Sequence, residues 1–361
     1  MNDSPRGATK LGSLETGRFI AASMVMLEHF ADFTQQYAAP GQRIFGNWSP
    51  PAPLGVEFFF VLSGFVMASA HHADFGRLAA IPRFWWRRAC RIYPVYWLAL
   101  CVPMYLFWRS LGAASLLHLY LLDPWGDISL IPPSWTLRYE MAFYIALGLC
   151  MLPYIGKPLL GLWIATTLWC HMPLGLLAFF HLEPPFFPNR LYGALGLKFG
   201  SVLEYHFFAG LAAGWLFIRC PPARALSWAA LGLGVMLFLL LLPVSHYGTD
   251  YGPVPFYTML VALSFALIIL GLARLERLGA LCFGTAAVRL GALSYPLYIL
   301  HTSLMLAATL NLPAMHLHGA GFYVFSAVAL AAIYGITAVA TFCFDQPIQR
   351  LLRRRNGHPA G

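Results

Sequence analysis

Ten runs of mostly apolar residues follow one another along the 361-residue chain, near 17–38, 53–70, 92–109, 134–153, 158–177, 201–218, 226–243, 255–273, 290–311 and 321–343. A helix needs about 20 such residues to cross the hydrocarbon core of a bilayer. Within lipid, a single segment satisfies its own backbone groups only by being helical. The pattern predicts an all-α fold, a polytopic membrane helix bundle with about ten transmembrane helices. Composition agrees, with 59% of residues hydrophobic and 10% charged, where a soluble domain carries roughly 25% charged. Such an excess excludes a soluble enzyme, a nucleic-acid reader and a disordered chain. The stretch at 110–125 is short and broken by Asp123 and Pro124, so it reads as a loop or half-helix.

An even number of spans puts both termini on one side, and the basic residues indicate which. With cytoplasmic termini, seventeen of the 23 lysines and arginines fall inside. Five fall outside or at the outer edge (Arg43, Arg109, Arg138, Arg190 and Lys198), and Arg18 lies within the first span. That bias predicts cytoplasmic N- and C-termini. No repeat, linker or soluble insert is visible, so residues 1–361 read as one membrane domain ending in a basic cytoplasmic tail from about 345. The N-terminus lacks the pattern of a cleaved secretory signal and is expected to be retained. Seven scattered cysteines without C-x-x-C spacing predict reduced thiols and no metal site.

Ionisable side chains inside a membrane are costly and normally face the bundle interior or a water-filled cavity. Arg18 and His29 lie eleven residues apart, about 16 Å along a helix and on nearly the same face. A ligand meeting both is long, anionic at one end and reactive at the other. Alternatively, Arg18 reaches the headgroups and His29 bridges two helices. His301 enters its span to a similar depth, which suggests a polar cavity shared with His29, or a structural hydrogen bond. The segment RFWWRRACRIYPVYW, read as the loop before the third span, interleaves Arg83, Arg87, Arg88 and Arg91 with Trp85, Trp86, Tyr93 and Tyr96. It suits phosphate recognition with aromatic stacking, or a positive-inside anchor with an aromatic belt. Glu140, in SWTLRYEMAFY, needs a partner, for which Arg138 and a histidine are both available. Ser63 has no nucleophile-elbow context and reads as a packing residue. Glu28, Glu57, Glu204 and His206 receive no role.

Five stretches together resemble the acyltransferase 3 family of integral-membrane acyltransferases: GRFIAASMVMLEHF, GVEFFFVLSGF, RRACRIYPVYW, SWTLRYEMAFY and LGALSYPLYILH. They run from residue 17 to 301 in the family's order. The resemblance implies about ten transmembrane helices and transfer of an acyl group, commonly acetyl, from cytoplasmic acetyl-CoA or another acyl-CoA. The implied acceptor is a hydroxyl of a carbohydrate or glycolipid. By the same resemblance His29 is the catalytic histidine, as general base or acyl carrier. Glu140 and His301 join it in the catalytic set, and Arg18, Arg88, Arg91 and Tyr93 bind the donor. The implied partners are the lipid bilayer, acyl-CoA, the acceptor and, in place of an appended hydrolase-like domain, a possible separate extracytoplasmic partner. The implied location is a bacterial inner membrane. Arg138 stands where the family usually has serine, and Glu28 beside the histidine is a second departure. Aromatic residues along 178–208, among them Phe186, Phe187, Tyr192 and Tyr205, suit sugar stacking or an interfacial belt. The competing reading is a transporter or exporter of a glycan or amphiphile, against which no duplicated halves are visible.

Overall fold

A computed structural model describes residues 11–123, 129–179, 201–242, 255–312 and 315–355. Among these residues there is no β-strand, only a single bridge between Ala38 and Leu317. The helices are α1 (Gly12–Gln35), α2 (Ala52–His71), α3 (Ala80–Phe107), α4 (Ala113–Leu121), α5 (Ser134–Leu149) and α6 (Gly156–Phe179). They continue with α7 (Leu203–Arg219), α8 (Arg224–Leu241), α9 (Pro255–Arg277), α10 (Thr285–Asn311), α11 (Gly319–Val339) and α12 (Gln346–Arg355). A helix occupies each of the ten apolar runs. Among the described residues, six helical segments are long and apolar enough to cross a membrane: Ala52–Asp74, Ala80–Phe107, Arg224–Leu241, Tyr257–Arg277, Thr285–Asn311 and Gly319–Leu352. Helix α1 differs from them because it carries Glu15, Arg18, Glu28 and Asp32, while α5 and α7 are 16 and 17 residues long. The short run at 110–125 forms α4, which ends at Leu122 in a left-handed turn (φ 50°).

Two segments differ from the sequence expectation. The basic stretch before the third span is not a loop but the first turns of α3, which begins at Ala80. Arg83, Arg87 and Arg91 are spaced at i, i+4, i+8, so helix formation gathers them on one face. The segment read as a tail continues helical from α11 through a π-helical turn, Ala340–Asp345, into α12.

The closest helix pairs are α2 with α7, α1 with α10 and α8 with α9. The α2–α7 crossing depends on glycine, because a Cβ on Gly64 would strike the Phe207 carbonyl and one on Gly210 the Val61 carbonyl. Small residues permit this backbone approach where lipid supplies no hydrophobic drive between helices. The larger core runs through α1, α2, α3, α5 and α10, with Met26, Phe30, Tyr96 and Phe143 among its fully buried side chains. A second core joins α2, α7 and α9 around Phe65 and Ile269.

Helix α1 starts on a carboxylate from another helix. Glu276 accepts the Gly12 and Ser13 backbone N–H groups at 2.7 and 2.9 Å and the Ser13 hydroxyl at 2.5 Å. The N-terminal amides, which have no partner inside their own helix, are satisfied by an anion at the positive end of the dipole. Prolines create the opposite need. Pro94 and Pro103 lie inside α3, and a proline supplies no N–H to the carbonyl four residues earlier. Those carbonyls belong to Cys90 and Ala99. Gln349 donates to the first at 2.8 Å and Ser303 to the second at 2.8 Å. The prolines thereby become attachment points for α12 and α10.

Ser303→Ala is expected to lower stability by about 1–3 kcal/mol, because it strands a buried carbonyl. Pro103→Ala restores an N–H to Ala99, so the double variant is expected to lose less than the two single losses added together. Thermal unfolding of the four proteins in detergent measures this coupling. Strict additivity contradicts the assignment.

Candidate functional site

Helices α1, α2, α3, α5, α10 and α12 enclose a cavity of about 490 Å³, and Arg18, Arg87, Arg88 and Arg91 are on its lining. Three of these cations are held in defined positions. Arg18 lies 3.7 Å from Glu15, one turn earlier on α1. The guanidinium of Arg88 packs over the rings of Phe84 and Tyr144 and donates to Nε2 of His71 at 3.0 Å. His71 is in turn 2.8 Å from Asp74 through Nδ1. Arginine can only donate, so Nε2 of His71 carries the lone pair and its Nδ1–H points at the carboxylate. Asp74, His71 and Arg88 form an orienting chain. Arg91 pairs with Asp345 at 3.2 Å and lies over the Tyr295 ring at 5.1 Å. Tyr295 is itself anchored by donation to the Ile92 carbonyl at 2.7 Å.

Away from the arginines, the wall is mixed. Glu140 Oε1 accepts the hydroxyls of Tyr144, in a short contact, and of Ser63, at 3.3 Å, and the two hydroxyl oxygens are 3.1 Å apart. Phe59, Phe60, Leu62 and Val66 supply an apolar side. From Tyr144 to Thr136 the lining follows two turns of α5, about 12 Å. Thr136 donates to the Pro133 carbonyl at 2.9 Å, so the Tyr298 hydroxyl donates to Thr136 Oγ1 at 2.8 Å. Phe59 meets Tyr298 edge-on, with ring centroids 5.5 Å apart. This arrangement suits an elongated ligand with anionic groups for the guanidinium cluster and an uncharged part running toward Tyr298.

The histidine pair is adjacent to that last wall. The Tyr298 and His301 ring centroids are 6.5 Å apart, and His301 Nε2 is 3.1 Å from His29 Nδ1. His301 Nδ1 faces the Leu297 carbonyl at 2.8 Å, and His29 Nδ1 faces the Val25 carbonyl at 3.1 Å. Carbonyls only accept, so one proton per ring satisfies all three contacts when both rings carry it on Nδ1. His301 Nε2 then accepts from His29, and His29 Nε2 is left as a lone pair without a partner among the described residues. His301 is fully buried, whereas His29 keeps partial exposure.

The structure therefore brings together Arg18, Arg88, Arg91 and Glu140 on one cavity and joins His29 to His301 beside it. Neither histidine is on the lining itself, contrary to a lining shared with Arg18. Tyr298, which precedes His301 by about one turn, is on the lining in its place. Tyr93 also stands apart, donating to the Leu121 carbonyl at 2.5 Å and packing on Trp97. Glu140 is partnered by hydroxyls, while Arg138 is buried near Tyr96. Ser63, read as packing, is a polar member of the cavity wall. His71, Asp74 and Asp345 went unselected. An i, i+3 His–Asp pair beside a basic helix was the available signal for the first two, and Asp345 had none. Glu57 and His206 are buried 3.8 Å apart between α2 and α7, away from the cavity. Glu204 accepts from Thr167 in a short contact. Phe186, Phe187, Tyr192, Arg190 and Lys198 lie outside the described residues. Among those described, no cluster of three or more metal-ligating side chains occurs.

The acyltransferase 3 family model, described as an acyltransferase domain, matches residues 11–343. The chain is 27% identical over 333 residues to acyltransferase MdmB of Streptomyces mycarofaciens, covering 82% of this chain and 79% of that protein. It is 29% identical over 323 residues to exopolysaccharide production protein ExoZ of Rhizobium meliloti (strain 1021), covering 83% and 90%. No solved structure matches.

Nitrogen-15 spectra of histidine-labelled protein at mildly alkaline pH, assigned with His29→Ala and His301→Ala, are expected to show both rings protonated on Nδ1. An Nε2–H on His29 contradicts the tautomer assignment.

Proposed function

The chain belongs to the acyltransferase 3 family of membrane acyltransferases, and from that premise we propose that it moves an acyl group from a coenzyme A thioester to a hydroxyl of a carbohydrate or glycolipid. The carrying observation is a pair of joined histidines, one of them with an Nε2 lone pair that no described residue takes up, next to Tyr298 on the wall of a cavity that four arginines line. The donor phosphates pair with Arg87, Arg88 and Arg91, with Arg18 close by. The pantetheine arm runs between α2 and α5 past Glu140, and the thioester lies at Tyr298. Swinging the Tyr298 ring away from Thr136 opens the way to His29. The arginine-rich mouth faces the cytoplasm in this reading, following the excess of basic residues on that side. A relative named for exopolysaccharide production supports a carbohydrate acceptor.

In the chemical step, His29 Nε2 takes the proton of the acceptor hydroxyl as its oxygen attacks the thioester carbonyl. The carbon–sulfur bond breaks, and the departing sulfur takes the proton back as the coenzyme A thiol. While His29 is protonated, His301 Nε2 accepts from its Nδ1–H and holds the ring in line, as an orienting partner does for a general base. His301 is thus a positioning residue. Glu140, whose Oε1 accepts two hydroxyls, holds Tyr144 and Ser63 in the wall along which the arm runs. Family membership favours this reading over an exporter without chemistry.

His29→Ala is expected to abolish acyl transfer while keeping coenzyme A binding, seen as thermal stabilisation of the purified protein by coenzyme A and acetyl-CoA but not ATP. Mass spectrometry of surface glycans and lipids from cells carrying the variant reads the transfer. Near-normal acylation removes His29 from the chemistry. Arg88→Ala is expected to raise the donor KM by about tenfold or more, the loss of one charge-assisted contact, with kcat at saturation little changed. A fall in kcat at unchanged KM contradicts a binding role.

A further inference from the structure

The matched acyltransferase domain stops at residue 343, yet the cavity wall does not. Gln349 and Leu352 are on the lining with Arg91. We propose that α12, together with the π-helical turn before it, completes the binding site for the phosphate-bearing end of the donor, with Asp345 as the residue that positions Arg91. The proposal rests on the coenzyme A reading above.

Two contacts tie this segment to the donor cavity. Asp345, 2% exposed, holds Arg91 Nη1 with Oδ2 at 3.2 Å. From the other side the Tyr295 ring supports the same guanidinium. Clamped in this way, Arg91 loses little rotamer freedom when an anion arrives, which is how pre-organisation strengthens binding. Its remaining N–H groups have no acceptor among the described residues, so they can serve the ligand. Gln349 supplies the second, donating to Cys90 O at 2.8 Å, and within the segment it steadies Asp345 by donating to its Oδ1 at 3.3 Å. The Cys90 carbonyl is available because Pro94 follows it by four residues. Since that carbonyl only accepts, the Gln349 amide must turn its nitrogen toward it. Both N–H bonds are then used, and Oε1 remains as an acceptor for an N–H of the bound nucleotide. The π-helical register at 340–345 delivers Asp345 to Arg91 while α12 continues along α3. Such turns recur at functional positions in helices.

Binding of coenzyme A and of pantetheine, which lacks the phosphates and the base, to the purified full-length chain tests this. Asp345→Asn is expected to weaken coenzyme A by about tenfold, the loss of one hydrogen bond to a charged group. Pantetheine binding is expected to stay unchanged, and Asp345→Glu to recover part of the loss. Leu352→Trp, which fills the cavity from a partly exposed wall, is expected to block coenzyme A, and it decides the matter should Asp345→Asn fail to fold. Coenzyme A binding within about twofold of the unmodified chain in both variants overturns the proposal, as does an equal loss for coenzyme A and pantetheine. An unmodified chain that binds no coenzyme A overturns the donor reading and this inference with it.

Discussion

The structure is organised around the cost of placing guanidinium groups inside an apolar bundle. An unpaired charge taken out of water costs several kcal/mol even after the protein relaxes, so each such arginine must find an anion, a lone pair or an aromatic face. Arg18 has Glu15, Arg88 has His71 and two rings, and Arg91 has Asp345 and Tyr295. These partners come from α1, α2, α3, α5, α10 and the turn before α12. Satisfying the arginines therefore draws those elements around one space. Side chains held in this way cannot collapse into it, and the cavity remains.

Irregularities in the helices serve the same arrangement. Pro94 and Pro103 each release a carbonyl of α3, and the released groups bind α12 and α10. The end of α3 nearer the arginines is thereby fastened to the C-terminal helix, and its further end to the helix that carries His301. Glu276 fastens the start of α1, the helix of Arg18 and His29, to the end of α9. Each is a polar contact between segments distant in sequence, made where a helix lacks a bond of its own.

The histidine pair is off the lining of the arginine cavity, and Tyr298, which is on that lining, lies beside His301. Under the proposed chemistry that separation has a use. It keeps a thioester away from a bare imidazole nitrogen until the tyrosine moves, which limits transfer to the wrong acceptor. Membership of an acyltransferase family and the geometry of the site meet at this point. The family supplies the reaction class, while hydrogen bonding identifies His29 Nε2 as the nitrogen able to take a proton.

The order and approximate limits of the ten apolar helices were legible in the sequence, because hydrophobic length is a local property and lipid tolerates few alternatives to a helix. That His29 and His301 lie at one level of the bundle was legible too, since helical rise converts residue number to distance. What could not be read there depended on partners far apart in the chain. The basic loop was in truth the start of α3, because helical spacing that gathers its arginines is favourable only once His71, Asp345 and Tyr295 receive them. The C-terminal tail became a cavity wall only because Pro94 leaves a carbonyl for Gln349. Tyr298, one turn from His301, stands on the lining where the eleven-residue spacing along α1 had suggested His29. Local pattern determined the elements; the pairing of charges and orphaned carbonyls across them decided where the site lies, because those energies do not exist until the helices pack.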